Sequence, residues 1–391
     1  MHLVFATSIV PDGAPSTGYE IANAAIIGAL RRVGVRVTVL GFIWPGRQPA
    51  DPQDTVVLGA VDVRTDTASV PRKLAWLAGA MRSGLTFSSV KLRVVSHEAV
   101  RAALKGIGPV DGYILNSVQF AAAFEGVFDD RPSIFVAHNV EHRSAEENAA
   151  ASGSLFQRLL FSREARLLKE IEDRLCRRAR FVLTLAEEDR AALGVADASK
   201  SAFLPLVTRD RLPPPPAPRA IDCDAALIGT WTWQPNRIGL DWFLNEVVPH
   251  LNPDFRIRIA GSIGGNVSSP HPGVSFVGRV PDATEFVRSG AVVPLISTAG
   301  SGVQLKTIET FELGLPSVAT SRSLRGIDRP PANCVVADEP EAFARALEEA
   351  VSLPLRDLDG RGFFESRREA LDHQIALGLQ ALDPAAPKVP A

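Results

Sequence analysis

A short segment that begins at Gly300 combines residue types that bind anions. Two glycines are followed by Lys306 and Glu309, and the segment lies between the apolar runs "AVVPLI" and "SVAT". The pattern predicts a short helix that starts near Ser301 or Gly302, with Gly302, Lys306 and Glu309 on one face. Glycines let a ligand approach the backbone, and free N–H groups at a helix start attract negative charge.

A nucleoside diphosphate matches this layout. Backbone N–H groups and Lys306 would bind its phosphates, and Glu309 would bind the two ribose hydroxyls. The apolar residues of the segment fall on another helix face, which suits packing against a sheet: Leu305, Ile308 and Phe311. An exposed Lys/Glu face capped by Ser301 explains the same residues, so the segment alone leaves both interpretations open.

The elements that would position this segment follow an α/β pattern. "HLVFAT", a helical stretch that stops at Gly34 and "VRVTVLGF" have the spacing of a parallel βαβ unit. Further apolar runs alternate with helical stretches, including a long one from Ser154 to Arg178. The alternation restarts at "AALIGT", which precedes a predicted helix from Asn236 to His250.

Four consecutive prolines in "RLPPPPAPRA" separate the two halves, because such a run continues neither a helix nor a central strand. At 391 residues the chain also exceeds one ordinary core. We therefore predict an N-terminal Rossmann-like domain over 1–210, a linker over 211–220 and a C-terminal Rossmann-like domain over 221–355. A helix over 356–391 follows, for which a return to the N-terminal domain is open. A cleft between two such domains is the expected ligand site.

Composition excludes several classes of protein. The net charge of −2 gives no bulk attraction to nucleic acid, so no nucleic-acid partner is predicted. Three widely spaced cysteines indicate a reducing compartment, and no Cys/His cluster has zinc spacing. The start, "MHLVFATSIVP", favours a first strand over a signal peptide, and no apolar run is long enough to span a membrane. We expect a cytoplasmic protein, at most peripheral to a membrane.

With these elements in place, the stretch "GSGVQLKTIETFELGLPSVATSRSLRGI" resembles the C-terminal motif of family 4 retaining glycosyltransferases, which have the GT-B fold. "ALIGTWTWQPNRIGLDWFLNEVVPHL" is similar to the family's first C-domain strand with its basic loop and helix. "VSFVGRVPDATEFV" is similar to its nucleotide-base loop, and "FVAHNVEH" to the N-domain strand that ends in a histidine. The resemblance is strong from Ala226 to Ile327 and weaker before it. It implies two Rossmann-like domains that face a cleft, a nucleotide-sugar donor, retention of configuration, and no metal or other cofactor.

The resemblance also assigns roles to individual residues. Lys306 and Arg237 would contact the donor phosphates, and His138 the donor sugar or the acceptor, so these three are the predicted catalytic residues. For Arg237 the alternative is an exposed side chain behind an Asn236 cap, and for His138 a structural hydrogen bond. The predicted donor-binding residues are Gly18, Arg279, Gly300, Ser301, Gly302, Val303, Gln304 and Glu309. Loop and cap chemistry explains Gly18 equally well.

One position departs from the family pattern. The family often carries two glutamates with seven residues between them, of which Glu309 matches the second and Ser301 occupies the place of the first. In the family the first glutamate contacts hydroxyls of the donor sugar. The serine therefore leaves the identity of the donor sugar open, and loss of activity is a second interpretation.

A basic segment from Arg72 to Lys105 contains seven Lys or Arg residues and one acid, Glu98. Apolar residues are interleaved with the charges: Trp76, Leu77, Leu85 and Phe87. A basic, apolar-bearing surface suits anionic lipid, and a solvated helix face is the alternative.

Together these observations predict transfer of a sugar to a glycan or lipid-linked acceptor, in envelope polysaccharide or glycoconjugate synthesis. Two alternatives stay open. A nucleotide-sugar epimerase or hydrolase on the same fold would act on the donor without an acceptor. A non-catalytic subunit would bind the nucleotide sugar and not turn it over.

Overall fold

The structure, a computed structural model, describes residues 1–13, 17–65, 67–150, 152–213, 218–265, 267–354 and 356–386. The chain divides into two units, one formed by Met1–Asp210 with Arg368–Ala391 and the other by Arg211–Arg367. Each unit contains a parallel sheet with helices around it, as the alternation of the sequence predicts.

The sheet of the first unit consists of β1 (His2–Ile9), β2 (Arg36–Ile43), β3 (Thr55–Ala60), β4 (Gly112–Asn116), β5 (Ser133–Ala137), β6 (Phe181–Thr184) and β7 (Ser201–Phe203). Its strand order is β3-β2-β1-β4-β5-β6-β7. The central strands β4, β5 and β6 are buried along their whole length, because helices cover both faces of a parallel sheet. The order reverses between β1 and β4.

The helices of the first unit are α1 (Gly18–Arg32), α2 (Val70–Ser83), α3 (Phe87–Leu92), α4 (His97–Ile107), α5 (Val118–Ala123), α6 (Glu141–Ala150), α7 (Leu155–Arg178) and α8 (Glu187–Ala192). Helices α1 and α7 lie where the periodicity predicts them. An aromatic cluster supports the sheet from α5, with Phe120 edge-on to Phe42 at 6.1 Å between ring centroids.

The sheet of the second unit consists of β8 (Cys223–Thr230), β9 (Ile257–Ser262), β10 (Val274–Gly278), β11 (Gly290–Leu295), β12 (Ser317–Ala319) and β13 (Cys334–Val336). Its order is β10-β9-β8-β11-β12-β13, and all recorded pairings are parallel. Strand β8 pairs with β9 on one side and with β11 on the other, so the direction in which the strands are added to the sheet reverses at β8. In such a sheet the crevice at this reversal, beyond the carboxyl ends of the strands, is where ligands bind.

The helices that accompany this second sheet are α9 (Gln234–Trp242), α10 (Ala283–Arg288), α11 (Leu305–Glu312) and α12 (Pro340–Ser352), and α13 (Arg361–Leu382) follows them in the chain. A π-helical turn over Phe243–Val247 and a 3₁₀ turn over Val248–His250 extend α9, so the predicted 236–250 helix is present. Another 3₁₀ turn, Ser321–Leu324, follows β12. Helix α13 begins in the second unit and ends in the first.

The predicted start of the short helix near Ser301 or Gly302 is wrong, because α11 begins at Leu305. Gly300 and Gly302 have φ values of +91° and +75°, which lie in the left-handed region and cannot continue into a right-handed helix. Gly302 therefore belongs to a loop and does not share a helix face with Lys306 and Glu309.

Part of the predicted linker is fixed to the second unit. Arg219 pairs with Asp357 at 2.8 Å and donates to the carbonyl oxygens of Arg288 and Ala291. Residues 214–217 of the proline run lie outside the described residues.

Candidate functional site

Two loops meet at the strand reversal of the second unit. One joins β8 to α9, and the other joins β11 to α11. A Cβ atom built on Gly239 would lie 2.3 Å from the carbonyl oxygen of Ile296, and one on Gly300 would lie 3.1 Å from Cβ of Pro235. Only glycine allows the first of these approaches, because side-chain atoms are not tolerated at 2.3 Å from backbone. Helix α9 therefore packs directly against the β11–α11 loop.

Two arginines orient the glycine loop. Arg322 donates from Nη2 to the carbonyl oxygen of Gly300 at 2.7 Å, and Arg325 donates from Nε to that of Gly302 at 3.2 Å. Both follow β12, where sequence reasoning assigned no site residue. The signal that points to them is their place in "SRSLRGI", at the end of the family-like stretch.

The other loop residues lead into α11. Ser301 and Val303 are half-buried, and Gln304 is buried at the N-cap position without a side-chain hydrogen bond to the helix. The predicted donor-binding residues from Gly300 to Gln304 thus form one turn-rich loop at the N-terminus of α11.

Lys306 occupies the first turn of α11. Its Nζ lies 5.0 Å from the centroid of the Trp231 ring, a cation–π contact. A small cavity of about 20 Å³ beside it is lined by both residues, by Glu309 and by apolar side chains of β8 and β11. Although the side chain retains some exposed surface, burial lowers the pKa of Lys306 to about 8. A bound anion would raise that pKa again.

Glu309 lies one turn further along α11 and faces α10. Its Oε1 accepts a hydrogen bond from Thr284 Oγ1 at 3.2 Å. Arg279 immediately follows β10, and its Nε donates to Oγ of Ser262 at the end of β9. Both residues therefore lie at the carboxyl edge of the same sheet.

Arg237 is the fourth residue of α9 and is held in place on two sides. Its Nε donates to both carboxylate oxygens of Asp241, at 2.7 and 2.9 Å, and its Nη1 donates to the carbonyl oxygen of Gly264 at 3.0 Å. The N-cap of α9 is Trp233, so the alternative with an Asn236 cap is wrong. Asn236 instead donates to the carbonyl oxygen of Thr230.

The two tryptophans of the β8–α9 loop differ. Trp231 is buried and donates from Nε1 to the carbonyl oxygen of Ala260 at 2.8 Å, whereas Trp233 is 47% exposed. Packing of the loop therefore depends on Trp231.

His138 and Gly18 belong to the first unit. His138 follows β5, is buried, and has its Nε2 2.8 Å from Oδ1 of Asn116. Burial lowers the pKa of His138 to about 3, so the imidazole is neutral at physiological pH. The centroid of its ring lies 4.9 Å from that of Tyr19.

Gly18 is the first residue of α1, directly after the Thr17 N-cap, which forms a capping box with Glu20. Residues 14–16 of the preceding loop lie outside the described residues. Beyond β5, Glu172 accepts hydrogen bonds from the backbone N–H of Glu141 at 2.7 Å and from Nδ1 of His142 at 2.6 Å. Burial, and secondarily Glu172, raise the pKa of Glu141.

The described residues contain no group of three His, Cys, Asp or Glu side chains arranged to hold a metal ion. No helix within the described ranges has the length and apolarity needed to cross a bilayer.

Comparison with known structures defines the class of fold. Over 98% of this chain and 99% of the other, the chain is similar to OtsA, with 13% identity and a TM-score of 0.59. It is similar in the same coverage to WaaG, a glycosyltransferase involved in lipopolysaccharide biosynthesis, with 16% identity and a TM-score of 0.53. TarM has a TM-score of 0.60 at 11% identity, with 98% of each chain covered. Two parallel-sheet Rossmann-like units with these neighbours constitute the GT-B fold, and the predicted fold class is confirmed.

Sequence comparison concerns part of the second unit. Residues 224–352 match the family described as Glycosyl transferases group 1, and Arg237, Lys306 and Glu309 lie within the matched segment. No curated protein sequence matches the chain significantly. The predicted resemblance to family 4-like GT-B glycosyltransferases is thereby confirmed.

Proposed function

We propose that this glycosyltransferase moves a sugar from a nucleoside diphosphate to a hydroxyl of a glycan or lipid-linked acceptor, with retention and without a metal ion. One observation carries the proposal. Gly300 of the glycine loop approaches Pro235 of α9, two residues before Arg237, and Lys306 contacts Trp231 of the loop before α9. All of these residues lie within the matched family segment. Envelope polysaccharide or glycoconjugate synthesis is the proposed pathway class.

The chemistry follows from this arrangement. The bond between the anomeric carbon and the diphosphate oxygen breaks, and its electron pair leaves with the diphosphate. A bond forms between the same carbon and the acceptor oxygen, whose proton passes to the departing diphosphate. Negative charge on the leaving group would be stabilised by Lys306, Arg237 and the backbone N–H groups of the glycine loop, in place of a metal ion. Glu309 would hold the ribose hydroxyls.

His138 would contact the donor sugar or the acceptor as a neutral hydrogen-bonding group, because its buried ring does not protonate near neutral pH. Ser301 would supply a hydroxyl or its backbone N–H to the donor sugar, where the family often has a glutamate.

A thermal-shift panel of nucleoside diphosphates and their sugars tests the donor assignment. A ligand at about 100 times its Kd stabilises the folded protein by about 2.7 kcal/mol. Incubation of the stabilising donor with candidate acceptors, with and without EDTA, then tests transfer and metal independence, and NMR of the product tests retention. Donor conversion without acceptor would favour the epimerase or hydrolase alternative. Binding without turnover on any acceptor would favour the binding subunit.

A membrane surface is the second proposed partner, because apolar side chains on two neighbouring helices are exposed beside the basic segment. On α2, Leu74 is 58% exposed and Met81 45%, and at the start of α7 Leu155, Phe156 and Leu159 are 64–77% exposed. Arg163 of α7 donates to the carbonyl oxygen of Ala80 at 2.8 Å, which joins the two helices. We define these five apolar residues as the apolar patch.

The positions of the basic side chains differ. Lys91 and Arg93 lie outside α2 and donate to the carbonyl oxygens of Val63 and Ala123, both at 3.0 Å. Arg72, Lys73 and Arg82 are exposed on α2 itself, where Arg72 also donates to the carbonyl oxygen of Asp62 at 2.9 Å. This combination suits an anionic leaflet, where each Lys or Arg contributes about 1 kcal/mol at low salt.

Co-sedimentation with liposomes of anionic and of neutral lipid tests this partner. We expect binding to anionic liposomes at low salt and release at high salt. Replacing Arg72, Lys73 and Arg82 by Gln should weaken binding, and so should replacing Leu155, Phe156 and Leu159 by Ser. A matched control replaces Val335 and Leu353, exposed apolar residues of the second unit, by Ser. If the wild-type protein does not bind anionic liposomes at low salt, the basic segment is a solvated helix face, and a soluble acceptor is favoured over a lipid-linked one.

A further inference from the structure

We infer that Asn116 is a positioning residue for His138, which it holds in the tautomer that carries its proton on Nε2. The inference deepens the proposed function, because it rests on the proposed role of His138 toward the sugar or acceptor. It is carried by a chain of buried hydrogen bonds at the carboxyl ends of β1 and β4, where the strand order of the first unit reverses.

The chain begins at the carbonyl oxygen of Ile9, which can only accept. Nδ2 of Asn23 lies 3.4 Å from that oxygen and 3.2 Å from Oγ1 of Thr7. The amide of Asn23 is therefore oriented with its Nδ2 toward β1. Its Oδ1 then faces Asn116, whose Nδ2 lies 2.7 Å away.

The opposite orientation of the amides is unfavourable. Turning Asn116 alone would place two Oδ1 atoms 2.7 Å apart with no proton between them. Turning Asn23 as well would leave its Oδ1 against the carbonyl oxygen of Ile9. The hydroxyls of Thr7 and Tyr19 each lie 3.2 Å from Nδ2 of Asn116. Because a hydroxyl can donate or accept a hydrogen bond, both are compatible with either amide orientation and do not change this result.

The orientation of Asn116 determines the proton position on His138. Oδ1 of Asn116 faces Nε2 of His138 at 2.8 Å, and a carbonyl oxygen requires a donor there. Thr7, Asn23 and Asn116 show 0% exposure, so water does not compete for these groups. In the neutral ring Nδ1 is then an acceptor, and any group that hydrogen-bonds to Nδ1 must donate. A sugar or acceptor hydroxyl that contacts Nδ1 in this tautomer would therefore be the donor.

The test is ¹⁵N NMR of histidine-labelled protein without any donor, because the two ring nitrogens differ in chemical shift between tautomers. His138→Ala identifies the resonances. We expect the Nε2–H form in the wild type and a mixed or Nδ1–H form in Asn116→Ala. Asn333→Ala, which removes a buried asparagine of the second unit, should leave the His138 resonances unchanged.

An Nδ1–H ring in the wild type overturns the inference, and this measurement stands even if Asn116→Ala does not fold. An unchanged tautomer in a folded Asn116→Ala also overturns it. In kinetics we expect kcat/KM of Asn116→Ala to fall about tenfold, the effect of one misplaced hydrogen bond, with unchanged affinity for free nucleoside diphosphate. Normal turnover of His138→Ala combined with the expected spectra would overturn the proposed role of His138 and support the tautomer assignment.

Discussion

Replacement of Lys306 by Met should make the protein more stable and less active. Among the described residues Lys306 forms no ion pair, and its Nζ faces the ring of Trp231. Methionine retains an unbranched apolar stem and removes the buried charge. A site that holds a cation ready for an anionic ligand is thus expected to cost stability in the ligand-free protein.

The magnitude follows from the pKa. The difference between the ordinary 10.5 and the value of about 8 in the folded protein corresponds to an upper bound of about 3 kcal/mol. Since the side chain retains some exposure, we expect about 1–2 kcal/mol. Because the folded pKa is lowered, the unfolded chain binds the extra proton between pH 8 and 10.5. The cost is therefore complete below pH 8 and disappears as the pH rises through that window.

Urea unfolding of both proteins at pH 7 and pH 10 measures this difference. Lys306→Met should be more stable at pH 7, and the difference should shrink at pH 10. Lys105→Met, at an exposed lysine of α4, should show no such pH-dependent difference. If Lys306→Met is less stable than the wild type, or if its gain in stability does not change with pH, the conclusion that the buried ammonium of Lys306 costs stability is refuted.

The same lysine should report ligand binding. A diphosphate raises the pKa of Lys306, so binding near pH 8 should take up a proton. Calorimetry in two buffers of different ionisation enthalpy detects that proton, and Lys306→Met should lose both the uptake and roughly 100-fold in turnover. Diphosphate binding without proton uptake at pH 8 would place the phosphates away from Nζ.

Three further predictions concern the same surface. Glu309→Gln should weaken the free nucleoside diphosphate by about 1.5–3 kcal/mol in calorimetry, because a hydrogen bond to a charged group is lost, and unchanged affinity would place Glu309 elsewhere. Arg237→Ala should reduce turnover by roughly 100-fold while the circular dichroism spectrum is retained, and near-normal turnover would contradict its phosphate role. Gly239→Ala should destabilise by about 1–3 kcal/mol and weaken donor binding, since its Cβ would lie 2.3 Å from the Ile296 oxygen. Gly362→Ala, at a helical glycine with nothing within 4 Å, is the matched control and should be neutral or stabilising in the same thermal scan.

Local pattern predicts most of the secondary structure, because strands buried on both faces read as short apolar runs. The predicted strands "HLVFAT" and "VRVTVLGF" lie within a few residues of β1 and β2. The missed elements lack that contrast: α2 has a single fully buried residue, Ala80, and its apolar side chains are largely exposed. The start of α11 was misplaced because sequence spacing does not reveal the positive φ of Gly300 and Gly302.

The residues of the candidate site also differ in how well the sequence predicts their surroundings. Lys306 and Glu309 lie on one helix, and the family-like motif extends without a break to Arg325, so a continuous stretch of sequence contains most of the donor surface. The environment of His138 has no such continuity. Asn116 contacts Thr7 across 109 residues and Asn23 across 93, and β1 and β4 become neighbours only when the sheet forms. A histidine at a strand end can therefore be found from sequence. The position of its proton, however, depends on the carbonyl oxygen of Ile9, which is far from His138 in sequence and comes near it only when the unit folds.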